Sequence, residues 1–187
     1  MNALQTVQRW RVRAGYVLAV VVLLLARPTL YSILLGAAVG FVGLLIRAYA
    51  AGFLHKQEVL TVTGPYAYTR NPLYLGSMSI AAGFAVAAGQ WWLVVLLVAM
   101  FLAIYLPTIF SEEQFLRGTF PQFEEYAQRV PRLLPRLTPA RFADAERGIG
   151  RFSPERYRHH REYNASIGAA ALYVALIFRM WLYRAHI

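Results

Sequence analysis

A chain of 187 residues that is 58% hydrophobic is too apolar for a soluble domain and has the composition of a bundle of spanning helices. It contains no cysteine, which excludes disulfides, a thiolate nucleophile and Cys-ligated zinc or iron–sulfur centres. A formal charge of +10 would suit nucleic acid, but every basic cluster adjoins an apolar run long enough to enter a bilayer, so lipid is the expected partner and nucleic acid is not.

About 20 apolar residues cross the hydrocarbon, and on that rule spans fall at about 9–26, 29–53, 72–89, 91–110 and 164–183. The expectation is an all-α, polytopic membrane helix bundle of about five transmembrane helices, one domain over 1–187. The first span, with Arg9, Arg11 and Arg13 ahead of "AGYVLAVVVLLLA", has the outline of a secretory signal peptide. No small-x-small cleavage pattern follows and another apolar run begins at once, so it is read as a mature helix. The joint "ARPT" makes the first two spans a hairpin. Gly36 and Gly40 form a GxxxG in the second span, suited to close helix packing, and Gly168 among alanines in the last span carries the same expectation.

Between the second and third spans stands "TGPYAYTRNPLYLG", residues 63–76. Gly64-Pro65 makes a turn, and Asn71-Pro72 opens the third helix with proline where its missing N–H is harmless. The free N–H groups of that helix start lie beside Tyr66, Tyr68 and Tyr74, an arrangement able to bind a carboxylate through backbone and a cation through ring faces. Anchoring at the membrane surface is the alternative use of the same residues, as it is for Trp91 and Trp92 in the next joint, "AAGQWW".

Glu58 is the only acidic residue before position 111, and Glu112 and Glu113 then arrive where the fourth span leaves the membrane. A carboxylate at that depth calls for a cation, and Arg70, Arg129 or a cationic ligand are the candidates; two solvated glutamates are the other reading. Beyond them Phe115, Leu116, Phe120, Phe123, Tyr126 and Val130 recur at helical spacing, interrupted at Gly118 and Pro121. Pro131, Pro135 and Pro139 then hold the chain extended. The stretch from Ala140 to Tyr163 is a basic, headgroup-facing surface, and His159 with His160 is too local a pair for a metal site, so no metal is expected.

Orientation follows from the basic residues. Those before the first span, those between the second and third, and the ten of nineteen within 111–162 all fall on one side. That side is cytoplasmic by the positive-inside rule, which puts the N-terminus and segment 111–162 inside and the C-terminus outside.

The combination "GPYAYTRNPLYLG", then a helix hairpin, then "EEQFL…F…YAQRVPRLLP", resembles the isoprenylcysteine carboxyl methyltransferase family of integral membrane enzymes, which also includes phospholipid methyltransferases. The similarity covers about 58–135. It implies transfer of a methyl group from S-adenosyl-L-methionine, held in a cytoplasm-facing pocket whose lipid-side opening admits an amphiphilic acceptor, either a carboxylate of the isoprenylcysteine kind or a lipid headgroup. The resemblance puts cofactor contacts on Glu58, Val59, Leu60, Thr61, Tyr66, Arg70, Asn71, Pro72, Tyr74 and Glu112. Arg129 matches the family's C-terminal arginine, expected to hold an acceptor carboxylate or to pair with Glu113, and Glu113 is the expected proton acceptor if the acceptor is an amine.

Three positions depart from the family pattern: Asn71 stands where many members have a titratable histidine, "FPQF" at 120–123 shortens the family's "FGxEY", and Thr108 replaces the arginine of prenylcysteine-specific members. Two other classes share part of the pattern. Nicotinamide-dependent membrane sterol reductases have an "RxPxY" hairpin, and a non-enzymatic scaffold would need none of these side chains.

Overall fold

The computed structural model describes residues 17, 19–55, 59–142 and 151–185; Arg9, Arg11, Arg13 and Glu58 lie outside them. Within the described residues the chain is all-helical: α1 (19–25), α2 (Leu30–Phe53), a single 3₁₀ turn (Gly64–Ala67), α3 (Pro72–Ala87), α4 (Trp91–Thr119), α5 (Phe123–Arg129), α6 (Pro154–His159) and α7 (Tyr163–Ala185). Three helices, over Leu30–Phe53, Trp91–Thr119 and Tyr163–Tyr183, are long and apolar enough to cross a membrane. Helix α3 is apolar but its 16 residues give only about 24 Å, short of the hydrocarbon thickness.

The two hairpin joints hold each other. Thr29 caps α2 through a reciprocal box with Ser32, and the Ser32 hydroxyl also donates to the carbonyl of Ala87 at 3.0 Å. Arg27 N–H donates to Ala88 O at 2.9 Å. That contact needs Gly89, which has φ +74° and lies so close to the Arg27 carbonyl that a side chain would collide with it.

Helices α2 and α3 run against each other along a glycine seam. A Cβ on Gly83 would lie 2.5 Å from Gly36 O, and one on Gly43 would lie 2.6 Å from Gly76 O, so the backbones touch directly. Gly40 of the same stripe faces the Tyr173 ring of α7, whose hydroxyl donates to Gly36 O at 2.7 Å. The expectation for Gly168 is corrected: nothing lies within 4 Å of where its Cβ would stand. Gly83→Val is expected to destabilise the bundle by about 1–3 kcal/mol through overpacking, read as a lower thermal midpoint in detergent, whereas Gly168→Ala should leave it unchanged.

Helix α4 continues through Pro107 to Thr119, so Glu112 and Glu113 sit inside a helix and not at its negative end. Past it, Phe123, Tyr126 and Val130 bury themselves against Leu60, Val62 and Phe142. The proline-rich stretch then runs alongside the loop before α3: Arg70 N–H donates to Pro131 O, Arg136 N–H to Tyr68 O and Ala140 N–H to Ala67 O, each at 2.9 Å. These bonds satisfy backbone that prolines cannot pair within a helix, and they bring the two motif segments together.

Candidate active site

The loop before α3 and the exit of α4 meet at Glu113, which is only 4% exposed. Its Oε1 lies 3.1 Å from Arg70 Nε and accepts a hydrogen bond from Asn71 Nδ2 at 3.1 Å; its Oε2 accepts from Arg132 Nε at 3.0 Å. Asn71 therefore spends its side chain on this cluster and on Arg132 O (3.0 Å), and leaves the start of α3 without a side-chain cap. Arg70 also donates to Ala127 O at 3.2 Å. Burial lowers its pKa from the ordinary guanidinium value, and the Glu113 carboxylate opposes that shift. Arg132 lies over the Phe110 ring, 4.1 Å from its centroid.

One sequence expectation changes here. Arg129 does not reach Glu113: it closes α5 in an exposed pair with Glu125 at 2.8 Å and covers the Phe142 ring. Arg132, on the other side of Pro131, takes the partner's place. Glu113 itself stands between two guanidinium groups, one on each carboxylate oxygen.

A cavity of about 980 Å³ opens beside this cluster. Of the twelve candidates, Val59, Leu60, Thr61, Tyr66, Arg70, Asn71, Pro72, Tyr74, Glu112 and Glu113 line it; Arg129 does not, and Glu58 lies outside the described residues. Glu112 and Tyr74 meet directly, the tyrosine hydroxyl donating to Oε1 at 2.8 Å. Tyr74 in turn sits edge-on to Tyr105, which stacks on Phe101 with centroids 4.5 Å apart. Thr61 is buried, and its hydroxyl oxygen accepts the His55 N–H at 3.1 Å.

Tyr66 is 7% exposed and its hydroxyl has no hydrogen-bond partner. Burial first, and then the Glu162 and Glu112 carboxylates, push its pKa well above the usual phenol value, so it stays a neutral hydroxyl at physiological pH. Tyr126, pushed the same way mainly by burial, donates to Tyr66 O at 2.8 Å and fixes that loop from below.

The residues that sequence reasoning missed are Arg47, Ser77, Tyr105 and Arg132, and on α7 Gly168, Ala171 and Leu172. Arg47 carried a signal: a charge inside an apolar span marks a functional or paired position. It forms a bidentate pair with Glu162 (2.9 and 2.8 Å to Nη2, 3.0 Å to Nε) and also donates to Ser77 Oγ and to Leu73 O. Among the described residues no group of three or more His, Asp or Glu side chains is placed to hold a metal ion.

A model of the phospholipid methyltransferase family matches residues 16–122. The chain is similar to the cobalt-zinc-cadmium resistance protein CzcN of Cupriavidus metallidurans, 33% identical over 138 residues that make up 69% of this chain and 63% of that protein. It is also similar to the nickel-cobalt-cadmium resistance protein NccN of Alcaligenes xylosoxydans xylosoxydans, 35% identical over 106 residues, 56% of this chain and 49% of that one. The matches thus span about 63% and 49% of the length of these relatives. No solved structure gives a significant match. With more than half of its residues inside the family match and its apolar helices arranged as a membrane bundle, the chain belongs to the phospholipid methyltransferase family.

Proposed function

We propose that this protein is an integral membrane enzyme that transfers a methyl group from S-adenosylmethionine to a carboxylate-bearing amphiphile drawn from the bilayer. The observation that carries the reading is the Tyr74–Glu112 hydrogen bond inside a cavity that also contains the N-terminus of α3. The donor set fits the cofactor. Glu112 suits its amino group, the positive end of α3 at Pro72 and Leu73 suits its carboxylate, and the faces of Tyr66 and Tyr74 suit a sulfonium. When bound, the cofactor supplies an electrophilic methyl group. The protein's part is to orient the two reactants and to exclude water, for which a cavity of about 980 Å³ has room. Family membership favours this over the reductase and scaffold alternatives.

The Glu113 cluster supports the choice of a carboxylate acceptor. An amine must lose a proton before it attacks, whereas both oxygens of Glu113 are already engaged by Arg70, Asn71 and Arg132; a carboxylate acceptor needs no base. The cytoplasmic side is assigned to the cavity end of the bundle on the distribution of arginines, with the C-terminus outside.

Calorimetry on the purified protein in detergent is expected to give saturable binding of S-adenosylmethionine, and no binding would overturn the reading. With a radiolabelled methyl group and a total membrane lipid extract, the label should enter the lipid fraction and be released by mild alkali, as a methyl ester is; alkali-stable label would refute the carboxylate. In the same assay Arg129→Ala should stay within about twofold of wild type, while Arg132→Ala should lose activity and about 1–2 kcal/mol of stability, since its guanidinium is partly exposed.

A further inference from the structure

Arg47 places a charge within the apolar helix α2, and its partners account for every hydrogen that a guanidinium can donate. Nε and Nη2 hold both carboxylate oxygens of Glu162 at 2.8 to 3.0 Å, while Nη1 donates to Ser77 Oγ and Leu73 O of α3. The Ser77 hydroxyl closes the network by donating to Leu73 O at 2.9 Å. The arginine can lie flat across α3 because position 76 is glycine: a Cβ there would stand 2.6 Å from Arg47 Cγ. The pair is largely shielded from solvent, with side-chain exposures of 22% and 11%.

Glu162 reaches this point by way of α6, which closes the end of α2. Ser153 N–H donates to Gly52 O at 3.0 Å and Arg156 Nη1 to the same carbonyl at 3.1 Å, so the end of α2 is met by donors and by positive charge. Glu162 and α6 lie beyond the family match, which ends at 122, whereas Arg47, Leu73 and Ser77 lie within it and line the cavity. The next residue after Leu73 is Tyr74, which bonds Glu112. Both charges of the pair also act on the buried Tyr66 hydroxyl, the carboxylate raising its pKa and the guanidinium lowering it.

We propose that Arg47 is a positioning residue for the cofactor site: with its five N–H groups engaged by Glu162, Ser77 and Leu73, it binds no ligand itself but holds the start of α3, and with it Tyr74 and Glu112, in the spacing that S-adenosylmethionine needs. Glu162 anchors the device from a part of the chain outside the family match. The role rests on the methyl-transfer reading; the tie itself does not. A positioning pair differs from a merely structural one in what can replace it. Packed apolar side chains can restore the stability lost with a buried ion pair, but they offer Leu73 O and Ser77 no donor.

The test is the double variant Arg47→Met with Glu162→Leu, made in the full chain in detergent. Thermal unfolding is the control for folding, and calorimetric titration of S-adenosylmethionine is the readout. Glu162→Leu alone strands the arginine and should lower the melting midpoint by roughly 5–10 °C. The double variant should melt within about 4 °C of wild type, yet bind S-adenosylmethionine about tenfold more weakly. Should the double variant fail to fold, Arg47→Lys, with one nitrogen for both sets of partners, carries the same expectation in affinity. Wild-type affinity in either folded variant would overturn the positioning role. A wild type that binds no S-adenosylmethionine would instead defeat the methyl-transfer reading, and the positioning role with it.

Discussion

Glu113→Ala is expected to be the most damaging single substitution outside the glycine seam, costing about 3–5 kcal/mol because it strands buried positive charge. The carboxylate is 4% exposed and answers Arg70 on one oxygen and Arg132 on the other, while Asn71 adds a hydrogen bond. With it gone, the partly buried Arg70 guanidinium keeps, among the described residues, Ala127 O and the Phe123 ring, and the loop before α3 loses its tie to α4. The measurement is thermal unfolding in detergent, together with limited proteolysis between residues 120 and 142. Glu113→Gln keeps the shape but not the charge and should fall between alanine and wild type. Wild-type stability in Glu113→Ala would mean that the cluster contributes little.

Glu112→Ala should leave stability nearly unchanged and weaken S-adenosylmethionine binding by roughly ten- to hundredfold, the value of one hydrogen bond to a charged group. The side chain is exposed toward the cavity, and its described protein contact is the hydroxyl of Tyr74. Tyr74→Phe removes that hydroxyl but keeps the ring, so its effect on affinity should be smaller. Adjacent glutamates thus part in their expected readouts, one in melting and the other in ligand titration. Equal behaviour of Glu112→Ala and Glu113→Ala in both measurements would contradict the division of roles.

How much of this was legible in the sequence depended on whether a residue's partner was local or remote. The bundle of apolar helices followed from composition and run length, and the glycines at 36, 40 and 43 are spaced for one helix face. Tyr74 and Glu112 could be expected on one side because a helix hairpin returns the chain to the level at which it left. Arg129 and Arg132 were indistinguishable within "RVPR". What separates them is that Arg129 still belongs to α5 and finds Glu125 four residues back, whereas Pro131 ends the helix and turns Arg132 along the loop. Gly168 was misjudged because a small residue on a spanning helix is as compatible with open space as with a close contact. The pairing of Arg47 with Glu162, 115 positions away, has no local signature.

The Glu113 cluster also ties together residues that are far apart along the chain. One of its arginines precedes the carboxylate by 43 positions, and the other follows it by 19. A ribosome that has delivered every residue of the family match, through 122, has yet to supply Arg132. A chain that ends there holds Glu113 with only one of its two guanidinium partners. The centre is therefore complete only once the proline-rich stretch has folded back, and a chain truncated at 122 would lack an assembled cluster.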